Sequence, residues 1–198
     1  MIFFIYQLLT SILLIFSPFI ILYRIFKNKE DKFRVKEKFC FPSELRGNGK
    51  LIWFHGSSVG EIMSIIPIIK IYDNDKSTNK ILITSSTLSS SKILNKIKFK
   101  KTIHQFYPID HSFFSNKFLN YWRPAVAIFL ESEIWPSMFR SIKNKDIPLI
   151  LLNARITKKT ANRWSLIKKF SESIFNLIDI AYPQNFETKK FLKKFKIK

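Results

Sequence analysis

Leu51-Ile52-Trp53-Phe54-His55-Gly56-Ser57-Ser58-Val59-Gly60-Glu61 is the stretch whose reading decides the fold. An apolar run of strand length meets a short segment with two glycines, and a second apolar run, Ile62 to Ile71, follows. The chain has only four glycines, all between positions 47 and 60. So sparing a use puts glycine where backbone needs positive φ or close approach to another group. The pattern predicts a strand, a tight turn and a helix whose N-terminus faces whatever lies above the strand, with Glu61 in the first helical turn.

The same alternation continues downstream. Strands are expected at Leu51–Phe54, Ile81–Thr84, Ile103–Tyr107, Val126–Leu130, Pro148–Leu152 and Ile178–Tyr182, with helical patterns between them at Glu61–Ile71, Ser89–Lys98 and Asn162–Asn176. Such alternation implies an α/β fold, a Rossmann-like parallel sheet with helices on both faces. Ligands of these folds collect at the carboxyl ends of the strands. The polar segments fall there: His55–Glu61, Thr84–Thr87, Pro108–Asp110, Glu131–Pro136, Asn153–Arg155 and Pro183–Asn185.

Upstream, Met1–Tyr23 has no charged side chain and reaches ~35 Å as a helix, enough to cross a ~30 Å hydrocarbon core. Pro18 leaves open whether it spans the membrane or lies in the interface. Arg24, Lys27, Lys29, Lys32, Arg34, Lys36 and Lys38 follow, diluted by Glu30, Asp31 and Glu37, and the positive-inside tendency keeps the rest of the chain in the cytoplasm. A cleavable signal peptide would need a basic start and a small-residue cleavage site, and the segment has neither. The expected layout is a membrane anchor at 1–26, a basic connector at 27–49 and the Rossmann-like domain at 50–198.

Composition narrows the chemistry. Net charge is +20, which suits anionic partners, although a compositionally biased genome gives lysine-rich chains as well. No basic-aromatic nucleic-acid motif stands out, so no nucleic-acid partner is expected. The single Cys40 excludes a disulfide framework, and with three histidines a metal site is not expected. Gly56-Ser57-Ser58-Val59-Gly60 fits the nucleophile elbow of α/β-hydrolases, but that fold needs a histidine after its acid and none follows His111. Dinucleotide and P-loop glycine patterns are absent from the sequence. Read singly, each remaining candidate has a structural explanation. Ser58-Val59-Gly60-Glu61 is a capping box. Glu131 and Glu133 can be solvated carboxylates near a helix start, Arg155 a surface ion pair, and Trp135 core.

Read together, these stretches resemble 3-deoxy-D-manno-octulosonic acid (Kdo) transferases, the lipid A glycosyltransferases of Gram-negative bacteria. The resemblance is carried by His55–Glu61, Tyr107–Asp110, Phe118-Leu119-Asn120-Tyr121-Trp122-Arg123-Pro124, Glu131-Ser132-Glu133-Ile134-Trp135-Pro136 and Asn153-Ala154-Arg155-Ile156-Thr157, with Pro183-Gln184-Asn185 a weaker match. It implies the N-terminal, acceptor-binding half of a GT-B glycosyltransferase. It implies transfer of Kdo from CMP-Kdo to the distal glucosamine 6-hydroxyl of the tetraacylated lipid A precursor, lipid IVA, with inversion and without metal or other cofactor. By position, Glu61 matches the general base and Glu131 a carboxylate that helps stabilise the transition state, while Ser57, Ser58, Gly60, Glu133 and Arg155 fall in the acceptor site. The partners implied are the lipid A precursor, the inner membrane and, through a C-terminal half, CMP-Kdo.

Two departures are visible. The chain stops at Lys198, where the first domain of the family ends, so this polypeptide alone is expected to be inactive: a fragment, a split-gene product or a remnant. A non-catalytic, membrane-anchored module binding lipid A or anionic lipid is the alternative. Ser90 stands near a family glycine and Ser137 replaces a common asparagine, which puts acceptor-site geometry in question.

Overall fold

The computed structural model describes residues 2–77, 80–195 and 197; Met1 and Lys198, the outer bounds expected for the anchor and the domain, lie outside them. A long helix, α1 (Ile2–Phe26), and a 3-10 turn at Val35–Phe39 precede an alternating series: β1 (Leu51–His55), α2 (Val59–Asn74), β2 (Lys80–Ser85), α3 (Leu88–Leu94), β3 (Thr102–Phe106), α4 (Ser112–Trp122), β4 (Val126–Leu130), α5 (Pro136–Lys143), β5 (Leu149–Ala154), α6 (Lys158–Leu166), α7 (Lys168–Phe175), β6 (Ile180–Pro183) and α8 (Phe186–Leu192).

All strand pairings are parallel, in the order β3-β2-β1-β4-β5-β6. Strands covered on both faces need continuous apolar runs. In β1, Leu51, Trp53 and Phe54 are fully buried. Phe54, Ile81, Ile83 and Leu130 pack with Ile62, Ile65 and Ile69 of α2 and Leu94 of α3. Trp53, Ala127, Phe129 and Leu151 face the opposite way, onto α4, α5, α7 and α8. Trp53 meets Phe118 at a ring separation of 4.8 Å and Phe129 edge-on at 5.1 Å. Burying each such ring contributes about 1.5–3 kcal/mol. The expected α/β sheet with helices on both faces is therefore present, with a long apolar helix ahead of it.

The chain reverses its direction of growth between β1 and β4, which lie side by side with His55 opposite Phe129. That reversal is the switch point where doubly wound sheets bind ligands.

Two local expectations are corrected. The helix expected over Asn162–Asn176 is two helices, α6 and α7, broken at Ile167, whose φ of -119° and ψ of 48° are not helical. The one expected over Ser89–Lys98 ends at Leu94. The 27–49 segment does more than connect. Glu37, buried, pairs with the Arg34 guanidinium and accepts the Phe106 backbone N–H at 2.7 Å, so it covers the edge strand β3.

Candidate active site

The site grows from the end of β1. His55 is fully buried and stacks on Tyr107, with ring centroids 3.9 Å apart. Its Nδ1 lies 2.9 Å from Thr84 Oγ1, and its Nε2 lies 3.1 Å from Glu133 Oε2. Thr84 Oγ1 also accepts the indole N–H of Trp53 at 2.9 Å. A relay of hydrogen bonds thus runs from the core tryptophan through Thr84 and His55 to a carboxylate at the rim.

Glu133 Oε2 collects further donors, the Ser57 hydroxyl and the Trp135 indole N–H at 2.8 Å. Burial works to raise the pKa of Glu133, but the hydrogen bond and charge of His55, then Ser57 and Trp135, outweigh it and hold the carboxyl below its ordinary value.

Glu61 is arranged oppositely. Its Oε2 accepts the Ser57 backbone N–H at 2.8 Å and its Oε1 the Ser58 hydroxyl at 2.8 Å, while Ser58 Oγ accepts the Glu61 N–H at 3.2 Å. The Ser58 cap expected from sequence is present, but the Glu61 carboxylate returns to the Ser57 N–H, one residue ahead of the cap, so capping does not exhaust the residue. Burial raises the Glu61 pKa, the Ser58 and Ser57 donors offset part of this, and the charges of Glu133 and Glu131 add to it; the net direction is up. Ser57 therefore bridges two carboxylates, one by its amide and one by its hydroxyl, whose environments push their affinities for a proton apart. That divergence is the mark of groups assigned different acid–base tasks.

Gly56 permits the arrangement. A Cβ there would meet Leu130 Cδ1 at 2.8 Å and Glu61 Cβ at 3.1 Å, so only glycine lets β1 pass so close to both. Gly60 has no such constraint: a Cβ would find only Ser58 Oγ, at 4.0 Å, and its φ is not positive. The expectation that every glycine is sterically required fails at that position, which leaves open space above the helix start.

Glu131, the residue after β4, lies in the left-handed region at φ 48°, and Asn153, the next-to-last residue of β5, at φ 54°. For a non-glycine residue this costs about 1–2 kcal/mol, and such strain concentrates at functional sites. The bend is held by two backbone bonds, Glu131 N–H to the Leu152 carbonyl at 3.0 Å and Arg155 N–H to the Glu131 carbonyl at 3.2 Å. The Arg155 side chain is exposed. Its amide braces the glutamate loop while its guanidinium takes no partner among the described residues.

Of the residues singled out from sequence, Ser57, Ser58, Glu61 and Glu133 are joined by direct hydrogen bonds. Gly60 precedes Glu61 in the first turn of α2, Glu131 shares the loop after β4 with Glu133, and Arg155 joins through its backbone. Asp110 and Asn185 serve elsewhere: Asp110 accepts the Ser137 and Met138 N–H groups at the start of α5, and Asn185 caps α8. Thr84 and Tyr107 fell within strand-end stretches named from sequence, but their contacts with His55, and the structural role of His55 itself, escaped the sequence reading. The available signal was a histidine as the last residue of a central strand, a position that in this topology points at the switch point. Ser90 lies within α3, with its N–H capped by Thr87, so the feared strain at positive φ is absent. Among the described residues, no three His, Cys, Asp or Glu side chains converge on a point that could hold a metal ion.

A doubly wound domain with paired carboxylates at its switch point has the framework of a glycosyltransferase N-terminal domain. Residues 33–198 match the family model of 3-deoxy-D-manno-octulosonic-acid transferase (kdotransferase), and the chain belongs to that family. It is 37% identical over 165 residues to a probable mitochondrial 3-deoxy-D-manno-octulosonic acid transferase of Arabidopsis thaliana, covering 82% of this chain and 37% of the relative. It is 36% identical over 203 residues to the 3-deoxy-D-manno-octulosonic acid transferase of Rickettsia bellii, covering 94% and 48%. The Haemophilus influenzae enzyme of that name is 27% identical over 191 residues, covering 92% and 44%. The chain thus spans about half or less of the length of these relatives.

Proposed function

We propose that this chain is the acceptor half of a Kdo transferase of lipopolysaccharide synthesis, with CMP-Kdo as donor and lipid IVA as acceptor. Glu61 is the general base. It takes the proton of the sugar hydroxyl while the hydroxyl oxygen attacks the anomeric carbon of Kdo and CMP leaves from the opposite face, which inverts the configuration. A carboxylate positioned in this way contributes typically about 10²–10⁴-fold, and no metal or other cofactor takes part. Glu131, fixed at a strained strand end on the same rim, favours positive charge developing on the sugar ring. Ser57, Ser58, Gly60 and Glu133 line the acceptor side. Arg155 meets a lipid A phosphate, for which a planar guanidinium is suited. The reading places the body at the inner membrane, on its cytoplasmic side.

The observation that carries the proposal is the pair of opposed carboxylates bridged by Ser57, with Glu61 raised and Glu133 lowered. A raised carboxylate is the stronger base of the two.

The test is Kdo transfer from CMP-Kdo to lipid IVA by the detergent-solubilised chain, alone and with the C-terminal half of a relative added, using Glu61→Gln as control. Activity that depends on Glu61 supports the proposal. Transfer undiminished in Glu61→Gln would remove Glu61 as the base. A second reading, a non-catalytic module binding lipid A or anionic lipid at the membrane, is favoured by one observation: both Glu61 oxygens are already engaged at the helix start. Acceptor binding without transfer in any combination would select it.

A further inference from the structure

α1 is long and apolar enough to cross a membrane, yet one of its faces is polar and occupied. The Tyr6 hydroxyl donates to Asp110 Oδ2. The Gln7 amide donates to Ser137 Oγ at 2.7 Å and accepts the Ser112 hydroxyl at 2.8 Å. Ser11 Oγ lies 3.1 Å from His111 Nε2, and the Arg140 guanidinium sits 3.9 Å over the Phe3 ring. These partners are the start of α4 and the first turns of α5, at the strand-end rim that carries the carboxylates.

The far end of α1 is tied down too. Arg24 Nε lies 2.6 Å from Glu30 Oε1, and Lys38 Nζ shares that oxygen at 2.6 Å. The Lys38 carbonyl accepts the Ile109 N–H at 3.0 Å. The first turns of the helix thus contact residues 110–112 directly, while its far end is linked to Ile109 only through Glu30 and Lys38 of the following segment. Tyr6 and Arg24 are about 27 Å apart along the axis.

Crossing and docking exclude each other. A helix traversing a ~30 Å hydrocarbon core with the body on one side would carry Tyr6, Gln7 and Ser11 away from Asp110, Ser137 and His111 and leave them without partners in lipid, an expensive outcome. The occupied side chains, with Ser17 and Arg24, fall on one arc of the helix at 100° per residue. The other arc is apolar and bare: Phe4 is 71% exposed, Ile15 70%, Phe19 71% and Phe26 91%. Lys27, Lys29 and Lys32 follow directly, beside Phe33, which is 76% exposed.

We propose that α1 lies in the membrane plane as a monotopic helix. The body holds its polar face, its apolar face enters the acyl–headgroup boundary of the bilayer, and the lysines after it meet anionic headgroups. The strand-end rim is then held at headgroup level. The inference rests on α1 and its partners alone and is independent of the transfer reading.

Topology labelling tests it. The chain is expressed in a bacterial inner membrane with a cysteine-bearing tag ahead of Met1, or with Leu45→Cys on the body, where Leu45 is 85% exposed; the native Cys40 is buried and serves as background. A membrane-impermeant maleimide is applied to intact and to lysed cells. An in-plane helix gives the tag and Leu45→Cys the same sidedness, whereas labelling of the tag from the face opposite Leu45→Cys overturns the proposal. Fluorophores on Cys variants along α1 are then quenched with brominated lipids in phosphatidylethanolamine–phosphatidylglycerol vesicles. Quenching at positions 4, 8, 15 and 19, and its loss at 3, 14 and 21, is the expected pattern. Quenching that follows depth alone, without the helical period, or a chain that ignores the vesicles, overturns it.

Discussion

Glu133 sits 3.1 Å from His55 across the β1–β4 boundary, although 78 residues separate the two in sequence. Neither side of that contact is accidental. Thr84, held by the Trp53 indole, orients the imidazole from below, and Tyr107 stacks on its face. The carboxylate at the rim is therefore as rigid as the core beneath it, and Ser57 passes that rigidity on to Glu61.

Replacing His55 by Phe keeps the stacking surface and removes the donor to Glu133. With its largest favourable partner gone, burial dominates and the Glu133 pKa rises. The depressed pKa of Glu133 contributes stability that is present above the unfolded carboxylate value, ~4.3, and is lost as pH falls through the lower folded value. His55→Phe should therefore lose about 1–3 kcal/mol at neutral pH, the usual cost of leaving a buried acceptor short of a donor, with the gap to the parent chain narrowing as the solution is acidified. Urea denaturation at several pH values reads both effects. A loss that does not change with pH would show that His55 matters for packing and not for Glu133.

Glu61→Gln should abolish transfer with little change in thermal stability, since glutamine also completes a capping box. The pH dependence follows from the raised pKa. The base form grows as pH rises through that value, so transfer should rise with it. Stability runs the other way: for a carboxyl raised on folding, the contribution is present below the unfolded value and lost as pH climbs through the folded one. The charged Glu61 thus costs stability at neutral pH, and Gln should not lower the melting temperature. A cooperative melt well below that of the parent would mean that Glu61 is chiefly a structural cap.

The parts of this architecture visible in the sequence were those written locally. Val126–Leu130 is a strand over its expected bounds because a central parallel strand is apolar at every position. The helix start at Ser58–Glu61 is legible because both halves of a capping box lie within four residues. The break at Ile167 was not, since Leu166-Ile167 continues the apolar pattern while the backbone turns. The His55–Glu133–Ser57 contacts were invisible for another reason: they depend on β1 and β4 being neighbours, which the strand order decides and no local spacing encodes. The docking of α1 was likewise hidden, because Tyr6, Gln7 and Ser11 read as minor polar interruptions until Asp110 and Ser137 are seen opposite them.

Arg155 tests the acceptor reading separately from the base. Its guanidinium is exposed while its amide supports Glu131, so exchanging the side chain leaves the brace intact. Arg155→Lys keeps the charge and removes the planar fork, so the affinity for lipid IVA should fall several-fold at unchanged melting temperature. Equilibrium binding to vesicles carrying lipid IVA measures this. Unchanged affinity would place the phosphate elsewhere.

Gly56 and Gly60 look equivalent in sequence, and the structure sets them apart. At Gly56 an added methyl group would press on Leu130 and on Glu61 itself, at 2.8 and 3.1 Å. Leu130 is fully buried and packed against α2, so β1 or the Glu61 side chain has to move. Gly56→Ala should cost about 1–3 kcal/mol, the usual range for overpacking, and should lower transfer further by displacing the base. At Gly60 the methyl group enters open space within the first turn of α2, at a φ that alanine accepts. Gly60→Ala should therefore leave stability unchanged or improve it by up to about 1 kcal/mol. If the acceptor lies over that helix start, the same variant should bind lipid IVA less tightly while folding as well as the parent. Thermal melts of the two variants, each paired with acceptor binding, separate a backbone requirement from a ligand requirement. A Gly60→Ala chain that binds as the parent does would move the acceptor off the start of α2.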